Sequence, residues 1–223
     1  MNSFYQFLTE LHSSGGLEQL IRTGGPWLIM FIIFSETGLL AGFFLPGDSL
    51  LVTAGYLTTK SFGYHQPILD FYLLNLGLIG AAFIGDQLGY FLGNKTGHRI
   101  FAKADGRFFK KKYAEDAHAF YERHGGKAVV MARFVPIFRT FVPFIAGVAE
   151  MPYKKFILFS ILGASLWIIS LTSVGHFLGK SALGEKIHSI ILSVVFISIL
   201  PMLLTLIKKA LLARRAKIKT TLG

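Results

Sequence analysis

Two long stretches of this chain, residues 156–178 and residues 187–207, contain no Asp, Glu, Lys or Arg. A third stretch, residues 71–93, contains one charged side chain, Asp86. A helix needs about 20 apolar residues to cross the hydrocarbon core of a bilayer, and each stretch is long enough. Because 52% of the 223 residues are hydrophobic as well, the sequence predicts an all-helical integral membrane protein.

The net charge of +11 is concentrated in two blocks beside these stretches. Residues 95–127 contain nine Lys or Arg and four acids, and residues 208–223 contain six basic residues and no acid. Basic residues next to membrane spans are typical of the cytoplasmic side. We therefore predict a cytoplasmic loop at 95–127 and a basic cytoplasmic tail at 208–223, and we expect no nucleic-acid binding.

The ends of the chain predict two further elements. In residues 1–25, apolar side chains recur at helical spacing without forming a long apolar run, which predicts an amphipathic helix at the membrane surface. Residues 187–207 are predicted to form a C-terminal membrane helix. The membrane domain between them is predicted to run from residue 26 to residue 180.

This central region contains a weak internal repeat. The sequence Gly-Tyr-Phe-Leu-Gly at residues 89–93 matches Gly-His-Phe-Leu-Gly at residues 175–179 in four of five positions. Each copy follows a Pro-containing apolar segment that ends in Ala-Gly. With residues 95–127 and the tail both in the cytoplasm, residues 127–150 must enter and leave on one side. We therefore predict two re-entrant hairpins, about 27–58 and 127–150, in inverted repeat with the spans 71–93 and 156–178.

The first predicted hairpin carries two acids in an apolar setting, Glu36 and Asp48. A carboxylate inside a membrane is costly unless it is paired, hydrated or protonated. The intervening Pro46 and Gly47 interrupt helical structure, and a membrane tolerates such backbone only where protein or water satisfies it. Glu36 and Asp48 are therefore candidates for a functional site.

The second predicted hairpin carries two arginines, Arg133 and Arg139, in the sequence ARFVPIFRTFVPFIAG. Pro136, Pro143 and Gly147 are its predicted interruptions of helical structure. We expect the two acids to face the two arginines across a hydrated cavity. The alternative is that the four charges form structural ion pairs, with Asp48 capping a helix.

The combination of these motifs resembles the DedA family, the bacterial branch of the VTT membrane proteins. The resemblance covers roughly residues 26–180 and rests on Glu36, the Leu-Pro-Gly-Asp sequence at 45–48, and Arg133, Arg139, Pro143 and Gly147. It implies multi-pass proteins of the bacterial inner membrane with paired re-entrant hairpins, in which these two acids and two arginines are required. Some members are implicated in returning undecaprenyl phosphate across the membrane, and related proteins scramble phospholipids.

Together with the charged residues, this resemblance implies a membrane lipid transporter: a flippase, linked to the proton motive force, that returns undecaprenyl phosphate or a similar lipid phosphate across the cytoplasmic membrane for envelope biogenesis. Arg133 and Arg139 would bind a lipid phosphate, because guanidinium groups suit phosphate oxygens. Glu36 and Asp48 would hold the arginines and release them on protonation. Asp86 either lines the same cavity or lies at the end of its span. The alternatives are a passive phospholipid scramblase and a proton or ion antiporter.

An enzyme is not expected from the sequence. No Walker loop, nucleophile elbow or metal-spaced cluster of His and Asp is present, and the absence of cysteine excludes thiolate metal sites, so we expect no metal or cofactor. His65 and Asp70 have an acyltransferase-like spacing that arises easily by chance. His176 lies inside a predicted span, where a hydrogen-bonded packing role competes with a proton relay.

Overall fold

The computed structural model describes residues 14–40, 45–59, 69–101 and 126–181. Three predicted segments lie outside these residues in whole or in part: residues 1–13 of the amphipathic helix, residues 102–125 of the cytoplasmic loop, and the C-terminal membrane helix and basic tail at 187–223. All regular secondary structure in the described part is helical. The helices are α1 (Ser14–Gly38), α2 (Gly47–Leu57), α3 (Phe71–Phe101), α4 (Lys127–Ala132), α5 (Pro136–Val148) and α6 (Tyr153–Lys180).

Helix α1 is two helices joined by a kink. Gly25 has a φ of 60°, a backbone conformation that suits glycine, and Pro26 follows it. Because proline lacks an N–H and favours the first turn of a helix, Pro26 begins the second helical piece. The segment from Pro26 to Gly38 and helix α2 are each too short to cross a bilayer alone.

The second helix pair, α4 and α5, is separated by Arg133, Phe134 and Val135. Val135 is extended and Pro136 is the first residue of α5, as its fixed φ favours. The prediction that Pro143 and Gly147 interrupt the helix is wrong, since α5 continues through both to Val148. In a helix, Pro143 removes one backbone hydrogen bond, but tertiary packing retains the helix on both sides of it.

Helices α3 and α6 are long and apolar enough to cross a membrane, over residues Phe71–Gly97 and Tyr153–Lys180. Their outer faces expose large apolar side chains, including Tyr72, Leu76 and Phe177, which suits contact with lipid. Helix α3 continues beyond residue 93, the predicted end of its span, to Phe101, so it includes the first residues of the predicted cytoplasmic loop.

Helices α2 and α6 cross at very close range. A Cβ added to Gly55 would lie 2.1 Å from the carbonyl oxygen of Thr172. A Cβ added to Gly175 would lie 2.0 Å from the carbonyl oxygen of Val52. Small residues at such a crossing let two backbones approach directly, as is common between membrane helices.

Helices α5 and α3 cross in the same way. A Cβ at Gly147 would lie 2.0 Å from the carbonyl oxygen of Tyr90, and one at Gly93 would lie 2.0 Å from that of Phe144. In this crossing Gly93 therefore occupies the place that Gly175 has in the other. The sequence repeat instead aligns Gly175 with a glycine four residues earlier, so the contact is displaced by about one helical turn.

The buried core lies where α1, α2, α3 and α6 meet. Its fully enclosed members include Ile33, Leu51, Leu78 and Ile168. A smaller group of buried apolar side chains, around Tyr90 and Phe156, joins α3 to α5 and α6. The core and this smaller apolar group fix the positions of the charged side chains described next.

Candidate functional site

Two acids lie at the adjoining ends of α1 and α2. Glu36 is in the last turn of α1 and is fully buried, and Asp48 is in the first turn of α2 and is 13% exposed. Gly47 is needed between them, because a Cβ there would lie 1.6 Å from Oε2 of Glu36. The N-cap residue of α2 is Pro46, and no side chain caps this helix end. The side chain of Asp48 makes its contacts elsewhere.

Arg139 of α5 lies between these two acids. Its Nη1 donates to Oδ1 of Asp48, and its Nη2 donates to Oε1 of Glu36. The Arg139 side chain is only 4% exposed, so both ion pairs are shielded from solvent. Charge-assisted pairs of this kind are strong where water is excluded. We call Glu36, Asp48 and Arg139 the first cluster.

Trp167 of α6 holds the first cluster from a fourth helix. Its indole Nε1 donates to Oδ1 of Asp48 at 2.9 Å. The guanidinium carbon of Arg139 lies 4.7 Å from the centroid of the Trp167 ring, within the range of a cation–π contact. The same side chain therefore contacts both the acid and the base of one ion pair.

A second group of polar side chains lies between α3, α6 and the end of α4. Arg133 pairs with Asp86, and Oγ of Ser160 donates to the same carboxylate oxygen. Arg133 is 2% exposed, and Asp86 and Ser160 are fully buried. We call Asp86, Arg133 and Ser160 the second cluster.

The two clusters are neighbours across the crossing of α1 and α3. Oγ1 of Thr37, the residue after Glu36, would lie 2.2 Å from a Cβ at Gly85, the residue before Asp86. The first cluster contains two acids and one arginine, whereas the second contains one of each. When all groups are ionised, the first therefore carries one excess negative charge and the second carries none.

This arrangement differs from the sequence prediction in two respects. Arg139 contacts both predicted acids, but Arg133 contacts Asp86 instead of Glu36 or Asp48. The acids also contact Arg139 directly, not across an open cavity. Of the two positions expected for Asp86, it occupies a buried one beside the charged groups.

Sequence reasoning missed two of the residues involved. Neither Ser160 nor Trp167 is a candidate from the sequence, because both lie in the charge-free stretch 156–178. Both contacts join helices distant in sequence, so no local spacing could have revealed them. A buried Trp needs a partner for its N–H, which was the one available signal.

Other candidate residues have structural partners. Oδ1 of Asp70 accepts the N–H of Leu73 at 2.8 Å and so caps α3. Nδ1 of His176 lies 2.6 Å from Oγ1 of Thr58, and its ring lies against that of Phe71. In the described residues, no group of three or more His, Asp or Glu side chains is arranged to hold a metal ion.

Comparison with protein families matches residues 45–177 to the VTT domain. This range contains Asp48, Asp86, Arg133 and Arg139. It includes all of α2 and extends to Phe177, near the end of α6. Glu36 lies upstream of the matched range. The match therefore covers more than half of the chain and all but one of the charged side chains in the two clusters.

Relatives with similar sequences are bacterial membrane proteins. The protein named DedA of Escherichia coli K12 is 36% identical over 210 residues, which cover 92% of this chain and 94% of that protein. A membrane protein of Mycobacterium tuberculosis H37Rv is 43% identical over 178 residues, covering 79% and 76%. The inner membrane protein YqjA of Escherichia coli K12 is 34% identical over 168 residues, covering 75% and 73%. No solved structure matches this chain.

Proposed function

Because this chain belongs to the DedA family of VTT-domain membrane proteins, we propose that it moves a lipid phosphate across the cytoplasmic membrane. The proposed substrate is undecaprenyl phosphate or a similar polyprenyl phosphate, returned for envelope biogenesis. The movement is linked to the proton motive force and involves no chemical conversion of the lipid.

One observation carries this proposal: a buried arginine held by two acids. A phosphate headgroup must exchange its water for cationic donors when it enters an apolar path. Arg139 offers planar, permanently charged donors that match phosphate oxygens. Its two carboxylate partners occupy the donors that a phosphate would use. The closed first cluster is thus a site where an anion can replace a carboxylate.

Arg133 is the proposed second phosphate ligand. It lies six residues before Arg139 and is engaged by Asp86 in the closed state. Its Nη1 is buried without a hydrogen-bond partner among the described residues, so it has donor capacity to offer. A phosphate released by Arg139 would meet Arg133 next, with Asp86 in the role that the two acids have in the first cluster.

The excess negative charge of the first cluster supports a link to protons. A buried group of two carboxylates and one arginine is costly with both acids ionised, and one proton would balance it. Uptake of a proton by Glu36 or Asp48 weakens the hold on Arg139 and favours phosphate binding. Loss of that proton on the other side favours release.

The proposed arrangement in the membrane follows the sequence analysis. The α1–α2 and α4–α5 pairs would enter the bilayer as re-entrant hairpins from opposite faces, with α3 and α6 as spans and the C-terminus in the cytoplasm. The matching glycine contacts of α2 with α6 and of α5 with α3 support an internal repeat. An inverted repeat would bring the two hairpins together near the bilayer centre.

Two other functions make different predictions. A passive scramblase would move several phospholipids without a gradient. An ion antiporter would bind a cation at the first cluster, where the excess charge is negative. The buried arginines in both clusters favour an anion, because guanidinium donors bind phosphate oxygens, whereas a cation would take the carboxylates and leave these donors without an acceptor.

The test is flipping of a fluorescent polyprenyl phosphate in proteoliposomes, with and without an imposed pH gradient. Labelled phosphatidylcholine serves as the lipid control. Arg139→Ala and Asp48→Asn are compared with Lys154→Ala, which removes an exposed charge of α6 outside both clusters. The proposal expects gradient-stimulated movement of the polyprenyl phosphate alone, loss of it in the first two variants, and normal movement in the third.

Each other outcome contradicts the proposal. Equal movement of both lipids without a gradient would establish a scramblase. No lipid movement in wild-type vesicles, combined with gradient-driven cation flux, would establish an antiporter. Full activity of Arg139→Ala would exclude Arg139 as a phosphate ligand.

A further inference from the structure

The donors of Arg139 are unequally occupied. Nη1 is engaged by Asp48 and Nη2 by Glu36, while Nε is buried without a hydrogen-bond partner among the described residues. One face of the guanidinium lies against the ring of Trp167. An anion that binds a guanidinium with two parallel hydrogen bonds along its side edge uses Nε and Nη2.

This occupancy gives the two acids different positions relative to an arriving anion. Binding along the Nε and Nη2 edge would displace Glu36 from Nη2 and leave Asp48 on Nη1. The other carboxylate oxygen of Glu36, Oε2, lies beside Gly47 and is buried without a hydrogen-bond partner among the described residues. Glu36 is therefore the less completely held of the two carboxylates.

Asp48 is held by two hydrogen-bond donors. Its Oδ1 accepts a hydrogen bond from Arg139 and a second from Nε1 of Trp167, at 2.9 Å. Trp167 lies on α6, is itself 2% exposed and packs in the buried apolar core. Since the same indole ring lies against the guanidinium, it fixes the position of Asp48 and the plane of Arg139 together.

We propose that Trp167 is a positioning residue that keeps the Asp48–Arg139 pair together while an incoming phosphate replaces Glu36. Asp48 is thus the permanent partner of Arg139, and Glu36 is the exchangeable one. This division rests on the proposed function, in which the exchanging anion is a lipid phosphate. It assigns different roles to two acids that the sequence treats alike.

The division predicts effects of opposite sign on binding. In Glu36→Gln the neutral side chain competes less well for Nη2, so a phosphate should bind more tightly, by about tenfold. In Trp167→Leu the cation–π contact and the N–H donor are lost, so binding should weaken by about tenfold. Trp167→Phe keeps an aromatic face without the N–H donor and should give an intermediate loss.

The experiment measures binding of a fluorescent polyprenyl phosphate to the full-length protein in detergent, by anisotropy. Inorganic phosphate is added as a competitor, to separate headgroup recognition from binding of the lipid chain. Trp27→Leu is the matched control, because Trp27 is 78% exposed and contacts neither cluster. Thermal unfolding of each variant separates weakened binding from loss of the fold.

The outcomes distinguish the two proposals. Wild-type protein that binds no polyprenyl phosphate would overturn the proposed function itself. Wild-type binding with Glu36→Gln and Asp48→Asn equally weakened would leave that function standing and overturn the division between the acids. Trp167→Leu that is folded and binds like Trp27→Leu would overturn the positioning role.

Discussion

The two clusters contain the same kinds of side chain in different proportions. The first has two carboxylates on Arg139, and one of them, Asp48, is 13% exposed. The second has one carboxylate on Arg133, and both members are almost completely buried. A balanced, enclosed pair mainly costs desolvation, whereas an unbalanced one can be altered by a proton or by a competing anion.

This difference indicates which of the two clusters an incoming anion meets first. The first cluster has a partly exposed acid, an excess charge and an aromatic support from α6. The second has a hydroxyl donor to its acid and tight packing, since a Cβ at Gly163 would lie 3.1 Å from Cγ of Arg133. We infer that an anion meets Arg139 before it meets Arg133.

The largest effect is expected from Arg139→Ala. This change leaves Glu36 and Asp48 buried without their cation, so transport should fall to the level of protein-free vesicles. The free energy of unfolding should drop by about 3–5 kcal/mol where both acids remain ionised. Flipping assays and denaturation in detergent check the two effects, and a fully active variant would remove the first cluster from the mechanism.

The second cluster offers a rescue experiment. Asp86→Asn strands the buried charge of Arg133 and should lower the free energy of unfolding by about 3–5 kcal/mol. The double variant Asp86→Asn/Arg133→Gln removes both charges and should recover most of that stability. Because Arg133 is also a proposed ligand, transport should stay low in the double variant.

If the double variant regains transport as well as stability, Arg133 and Asp86 serve only to hold α3 and α4 together. The same test on Glu36→Gln/Arg139→Gln should recover no transport. A recovery there would make both clusters structural.

Two glycines provide a matched pair of smaller perturbations. A Cβ at Gly47 would lie 1.6 Å from Oε2 of Glu36, so Gly47→Ala must push that carboxylate out of the first cluster. A Cβ at Gly163 would lie 3.1 Å from Cγ of Arg133 and 3.2 Å from Cα of Val130, so Gly163→Ala requires these neighbours to shift by only a few tenths of an ångström. Transport by Gly47→Ala should therefore fall well below that of Gly163→Ala, and equal rates would show that the position of Glu36 is unimportant.

The smallest effect is expected from Ser160→Ala. The change removes one hydroxyl donor to Asp86 but leaves its ion pair with Arg133. The free energy of unfolding should therefore fall by about 1–2 kcal/mol. Transport should remain above half of the wild-type rate. A complete loss of transport would indicate that Ser160 contacts the substrate.

Much of the fold could be predicted from charge and hydropathy alone. The helical class and the family membership were predicted and are confirmed, and α3 and α6 are long and apolar enough to be the two predicted spans. Helix ends were less predictable. The break at Pro46 and the start at Pro136 were found, but Pro143 did not interrupt α5, because packing on α3 outweighs the one lost hydrogen bond.

The candidate site could be predicted in its membership but not in its pairing. Charges in an apolar sequence stand out because burying them is costly, so Glu36, Asp48, Arg133 and Arg139 were evident. Asp86 stood out for the same reason, but its partner did not. Which acid meets which arginine depends on how helices distant in sequence cross.

The sequence by itself therefore determined that this chain enters a membrane and which side chains carry its buried charge. Those properties follow from composition and from the length of apolar runs, which act residue by residue. Only the tertiary structure decided that Arg139 takes two acids, that Arg133 takes Asp86, and that Trp167 supports the first pair. Those contacts depend on glycine-lined crossings between α2 and α6 and between α3 and α5, and a shift of one helical turn would change them all.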